Sequence, residues 1–113
     1  MLIELKNIEK HFEAPAGGSA RSVLNGLDLQ IEKGESVAIV GPSGSGKSTL
    51  LNIIGALDRP TTGNTLFDSE DISKFNDNKL AELRNREIGF VFQLHHLLPQ
   101  LSVLENVLVP TLP

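Results

Sequence analysis

Residues 39–50 read Ile-Val-Gly-Pro-Ser-Gly-Ser-Gly-Lys-Ser-Thr-Leu, and the reading of this stretch decides the fold. From Gly41 to Ser48 it satisfies the pattern G-x-x-x-x-G-K-[ST], which cradles phosphate when a buried strand precedes it and a helix follows. The residue types answer to the chemistry. Glycines at 41, 44 and 46 let consecutive backbone N–H groups converge on one anion, Lys47 supplies a point charge at its far end, and Ser48 offers a hydroxyl to Mg²⁺. Ser43 and Ser45 either donate to the same phosphates or are small residues that keep the loop tight. The N-terminus of the following helix adds its unpaired amides, and Thr49 belongs to the same set. A plain Gly/Ser turn is the alternative, and the flanks weigh against it. Residues 37–40 form a continuous apolar run, the pattern of a strand covered on both faces. Residues 48–57 place Leu50, Leu51, Ile53, Ile54 and Leu57 at helical spacing.

Working outward, residues 2–8 alternate apolar and polar side chains and predict a strand, although the spacing of Leu2, Leu5 and Ile8 breaks the period. Residues 13–22, rich in Ala, Gly, Ser and Pro, predict an exposed loop. Leu27, Leu29 and Ile31 give a second strand, so a hairpin-like layer precedes the phosphate loop. Beyond the break at 59–63, residues 64–67 predict a short strand, 78–86 a polar helix with Leu80 and Leu83 inward, and 88–92 an apolar strand. Ser102 followed by Glu105 is a capping-box signal for a helix through Val109, which Pro110 terminates. Asp58 and Arg59 read as cap and turn residues, and Asp68, Glu70 and Asp71 as a solvated acidic surface.

A chain of 113 residues builds one modest core. Its 10 basic residues, against 14 acidic ones, are scattered, with no stripe to follow a nucleic-acid backbone, so no nucleic-acid partner is expected. Without cysteine there is no disulfide or thiolate chemistry. The N-terminal residues mix charge with apolar side chains and match neither a signal peptide nor a membrane span, so any membrane link is expected to pass through another chain. His95 and His96 are adjacent, and with only His11 elsewhere they offer no metal-ligand spacing.

With GPSGSGKST at 41–49 stand Phe12 near the N-terminus, LDRPTTG at 57–63, LAELRNREIGFVFQ at 80–93 and LLP…LSVLENV at 97–107. Together they resemble the first half of the ATP-binding subunit of an ATP-binding-cassette (ABC) transporter. Within that family, AELRN…GFVFQ…HHLLP…LENV is similar to the subgroup serving lipoprotein release, macrolide export and a related cell-division system, and the segment His95-His96-Leu97-Leu98-Pro99 most resembles the lipoprotein-releasing ATPase. The resemblance implies an α/β P-loop NTPase core of ABC type with an N-terminal antiparallel β layer. On that plan the β layer covers about 1–35, the phosphate-loop strand and helix about 36–57, a β/α segment about 64–93, and the start of a helical region about 94–113.

The resemblance also implies roles. Phe12, where the family more often has Tyr, offers a π face to adenine; its plain alternative is a core residue at a strand end. Lys47 and Gln93 act at the γ-phosphate, and Ser48 and Gln93 reach Mg²⁺. Leu97 and Leu98 are either core or the surface that receives an integral membrane permease subunit. A second ATP-binding subunit, ATP as cofactor and a peripheral position at the cytoplasmic face of the membrane complete the implied picture. No LSGGQ-like string and no apolar strand ending in paired acids occur in these residues, so the cassette is expected to stop before its signature and Walker B regions. The expectation is weak nucleotide binding without turnover, and apolar faces around Ile88, Phe90 and Phe92 that make the chain marginal or oligomeric alone. A soluble ABC-type ATPase acting on nucleic acid and a non-catalytic fragment are the competing readings.

Overall fold

The computed structural model describes residues 1–13, 18, 21–94 and 96–112. Its sheet runs in the order β2-β1-β3-β4, all pairs antiparallel: β1 (Ile3–Phe12), β2 (Arg21–Ile31), β3 (Thr62–Phe67) and β4 (Glu70–Asp71). The irregular spacing of Leu5 and Ile8 has a local cause. The ladder register shifts between Leu5 and Ile8 against β2 and between Lys6 and Glu9 against β3, and Asn7 takes φ +50°. A bulge of this kind adds a residue to the alternation and returns Leu5 and Ile8 to one face. Both are almost fully buried, at 1% and 0% exposure. Asn7 holds the bend by donating its N–H to Asp28 Oδ1 at 2.7 Å.

Against that face packs α1 (Lys47–Ile54), with Leu50 and Ile53 buried beside Leu5, Ile8 and Leu24. Burying Ile53 contributes about 1.5–3 kcal/mol on transfer grounds. The helix ends at Ile54, short of the predicted residue 57, because Gly55 caps it and Ala56 turns to φ +59°. Leu57, past that end, and Leu51, within the helix, are both exposed. A second core joins Ala56, Ile72 and Leu80, the last from α2 (Asp77–Glu87).

Two predicted strands are absent from the ladders. Residues 37–40 and 88–92 form no strand among the described residues, and Val37, Val40, Val91 and Phe92 are exposed. An apolar run becomes a strand only when another backbone accepts its N–H groups. The described strands belong to the antiparallel sheet and leave these two runs unpaired. Only Ile39 reaches the first core and Ile88 the second. The predicted loop at 13–22 is also too long: Arg21 and Ser22 already pair with Phe12 and His11 in the β2–β1 ladder. Residues 14–17, 19 and 20 lie outside the described residues.

Asp58 and Arg59 do more than turn the chain. Lys10 Nζ donates to Asp58 Oδ1 at 3.1 Å and to the Arg59 carbonyl at 2.7 Å. The Arg59 guanidinium donates to the Phe75 carbonyl at 2.7 Å and to Asp77 Oδ1 at 3.2 Å, fastening the segment after α1 to the start of α2. Arg59→Ala is expected to lower unfolding free energy by about 1–3 kcal/mol, since it strips a charged donor from partly buried carbonyls. Chemical denaturation measures it, and an unchanged midpoint would show the clamp to be idle. The acidic cluster also departs from a merely solvated surface. Asp71 accepts from the Ser73 hydroxyl and, at 3.0 Å, from the Ser73 N–H, capping the 3₁₀ turn Ile72–Lys74. The Ser73 hydroxyl, aided by its N–H, Asn64 and Lys74, holds the Asp71 carboxyl below the usual range.

The capping box forms as predicted: Ser102 Oγ accepts from Glu105 N–H at 3.1 Å, and Glu105 Oε1 accepts from Ser102 N–H at 3.0 Å. The helix it opens, α3 (Val103–Leu108), gives way to a 3₁₀ turn, Val109–Thr111, with Pro110 in its first turn.

Candidate functional site

The loop before α1 is shaped by two positive-φ glycines, Gly44 at +81° and Gly46 at +96°. Only glycine adopts such angles without strain. At Gly46 a Cβ would also stand 3.0 Å from Val23 Cγ1, so the loop lies hard against β2. The first helical bond runs from Leu50 N–H to the Gly46 carbonyl at 2.9 Å. Lys47, Ser48 and Thr49 therefore open the helix with amides that no helical carbonyl takes up. Lys47 Nζ bends over the loop and donates to the Gly41 carbonyl and, at 2.8 Å, to that of Pro42.

These groups face a cleft of 570 Å³. Phe12, Ser43, Gly44, Gly46, Lys47, Ser48, Thr49 and Gln93 line it, so residues 81 positions apart in sequence share one wall. Gly41 and Ser45 are outside the lining; Ser45 Oγ lies 2.9 Å from where a Gly41 Cβ would sit, so the two pack together within the loop. Phe12, at the end of the β1 ladder, is 44% exposed, with Lys10 Nζ 5.3 Å from its ring centroid. This is no core position. Gln93 is exposed, and its sequence neighbours pack on one another: Phe90 stacks on Phe92 at 5.5 Å, and His96 meets Phe92 edge-on at 4.6 Å. His95 lies outside the described residues.

Two lining residues, Arg21 and Val23, escape the sequence reading. Their i, i+2 spacing puts them on one side of a strand, but a strand start at residue 21 is hidden in a Gly/Ala/Ser-rich stretch. The lining contains two cations and no carboxylate, in a chain of net charge −4. Such a wall concentrates positive potential and selects an anion.

Comparison with known proteins agrees with the chemistry. The family model described as ABC transporter matches residues 24–111. The chain belongs to the ABC transporter family. Among ABC relatives, the lipoprotein-releasing system ATP-binding protein LolD of Nitratidesulfovibrio vulgaris is 55% identical over 106 residues, covering 94% of this chain and 45% of that protein. The macrolide export ATP-binding/permease protein MacB of Wolinella succinogenes is 53% identical over 111 residues, 98% of this chain and 17% of its own. The dimeric structure of MJ0796, a bacterial ABC transporter cassette, superposes with a TM-score of 0.90 at 46% identity, covering 96% of this chain and 46% of that one. The chain spans 45 to 49% of the length of the first ATP-binding relatives it matches. The fold is thus the P-loop NTPase fold of ABC cassettes with its antiparallel β layer. ABC membership implies nucleotide binding, and the donor set fits a nucleotide-borne Mg²⁺. Ser48 and Gln93, on the same wall, carry a hydroxyl and an amide oxygen, the hard donor type that Mg²⁺ takes.

The neighbouring surface is apolar. Leu97 and Leu98 are 56% and 40% exposed and line a groove with Leu101, Val103 and Val107. They are not core. Asn106, unremarked in the sequence, fixes the turn that presents them: its Oδ1 accepts from Leu98 N–H at 2.9 Å, and its Nδ2 donates to the Ser102 carbonyl at 2.9 Å. No helix among the described residues is long and apolar enough to cross a membrane.

Proposed function

We propose that this chain is the nucleotide-holding part of the ATP-binding subunit of a membrane export complex, of the kind that releases lipoproteins or exports macrolides. The observation that carries the reading is the cleft in which an aromatic face, a phosphate loop with its lysine, and a glutamine meet without any acid. Phe12 stacks on adenine, the amides from Gly44 to Thr49 and the Lys47 ammonium take the phosphates, and Ser48 and Gln93 supply oxygens to Mg²⁺. Gly41 and the Ser45 side chain, packed together, keep the loop tight. A bound Mg²⁺ would neutralise phosphate charge and so favour attack of water at the γ-phosphorus.

In the complex, two such subunits close on MgATP and work on an integral membrane permease, which keeps them at the cytoplasmic face of the membrane. The Leu97–Leu98 groove beside Gln93 receives the permease. Residues 1–113 bind nucleotide weakly and do not turn it over, because they supply neither a paired-acid strand nor a signature helix. Calorimetric titration of the folded chain with MgATP and MgADP tests this. Saturable binding is expected, and a folded sample that takes up neither nucleotide at millimolar concentration would refute the reading. Turnover that depends on Lys47 would refute only the claim of inactivity.

A further inference from the structure

Three of the four arginines are committed to protein partners: Arg59 to Phe75 and Asp77, Arg84 to the Ala56 carbonyl at 2.6 Å, and Arg86 to Glu82 at 3.2 Å. Arg21 is different. Its guanidinium has no hydrogen bond or ion pair among the described residues. It lines the nucleotide cleft, with Nη2 3.9 Å from where a Gly44 Cβ would sit. At the end of the β1–β2 ladder its backbone pairs with Phe12, so the aromatic face and the guanidinium issue from directly opposed positions.

A cation without a counter-ion beside an anion cradle is electrostatically incomplete. The chain has acids to spare, yet none lines this cleft. Arginine presents a planar fork of donors that matches two phosphate oxygens at once, which the compact lysine ammonium does not. We propose that Arg21 is a second phosphate-binding cation of the cleft, closing on the phosphate tail of the nucleotide from the β2 side of the loop. The assignment rests on the nucleotide reading above and adds to it a residue that sets affinity for the charged end of the ligand.

The test is calorimetric titration of wild type, Arg21→Gln, Arg21→Lys and Lys47→Ala with MgATP, and of wild type and Arg21→Gln with adenosine. Arg21→Gln is expected to weaken MgATP binding about 5- to 30-fold at low ionic strength, with the difference shrinking as salt is added. Arg21→Lys should recover part of the loss through its charge, while adenosine binds both proteins alike. The melting temperature should not move, because the guanidinium gives up no internal bond. Wild-type affinity in Arg21→Gln alongside failure of Lys47→Ala would overturn this assignment and leave the nucleotide reading standing. Equal losses for adenosine and MgATP would overturn the phosphate contact in favour of one to the base. Failure of the wild type itself would take down both.

Discussion

Replacing Lys47 with alanine is expected to weaken MgATP binding by about 10- to 100-fold while leaving thermal stability nearly unchanged. Hydrogen bonds to charged partners contribute about 1.5–3 kcal/mol each, and the ammonium forms its strongest ones with phosphate oxygens. Its partners in the fold are the Gly41 and Pro42 carbonyls, both on exposed residues, and water replaces the lysine there at little cost. Function and folding are therefore separable at this residue. Parallel titration and thermal melts check it, and a variant that melts early while retaining affinity would mean that Lys47 is a structural strut.

The reverse separation is expected at Gly63, where alanine should remove about 3–5 kcal/mol of stability, a large part of the 5–15 kcal/mol of an ordinary domain. Gly63 has φ +97°, and a Cβ there would stand 2.5 Å from the Asn7 carbonyl oxygen and 2.7 Å from that of Lys6. Those are backbone atoms of the β1 bulge and cannot swing aside as a side-chain tip does. Gly34 serves as the control: its φ is +78°, but nothing lies within 4 Å of its would-be Cβ. Gly34→Ala then reports conformational strain alone, about 1–2 kcal/mol. Urea denaturation of both variants measures the difference, and equal losses would show that crowding at Gly63 contributes nothing.

What the sequence makes legible is what nearest neighbours determine. The phosphate loop, the start of α1 and the Ser102–Glu105 box each depend on a few consecutive residues, and each is found where the pattern puts it. The apolar runs at 37–40 and 88–92 mislead because hydrophobicity marks a segment fit for a sheet without supplying the strand that must pair with it. The bulge at Asn7 appears in the sequence only as a fault in the alternation, and its purpose shows once Leu5 and Ile8 are seen on one face. The bonding of Arg59 and of Asn106 escapes the sequence for another reason: apart from Asp77, their partners are backbone carbonyls and amides, which leave no trace in residue type. Arg21 entered the cleft only because β2 begins earlier than its surroundings suggest.

Among the described residues every strand pairing lies between residues 3 and 71, and α1 lies inside that span. Phe12 and Lys47 therefore belong to a unit of sheet and helix whose pairings close without Gln93, and a nucleotide bound at that wall would stabilise the unit by mass action.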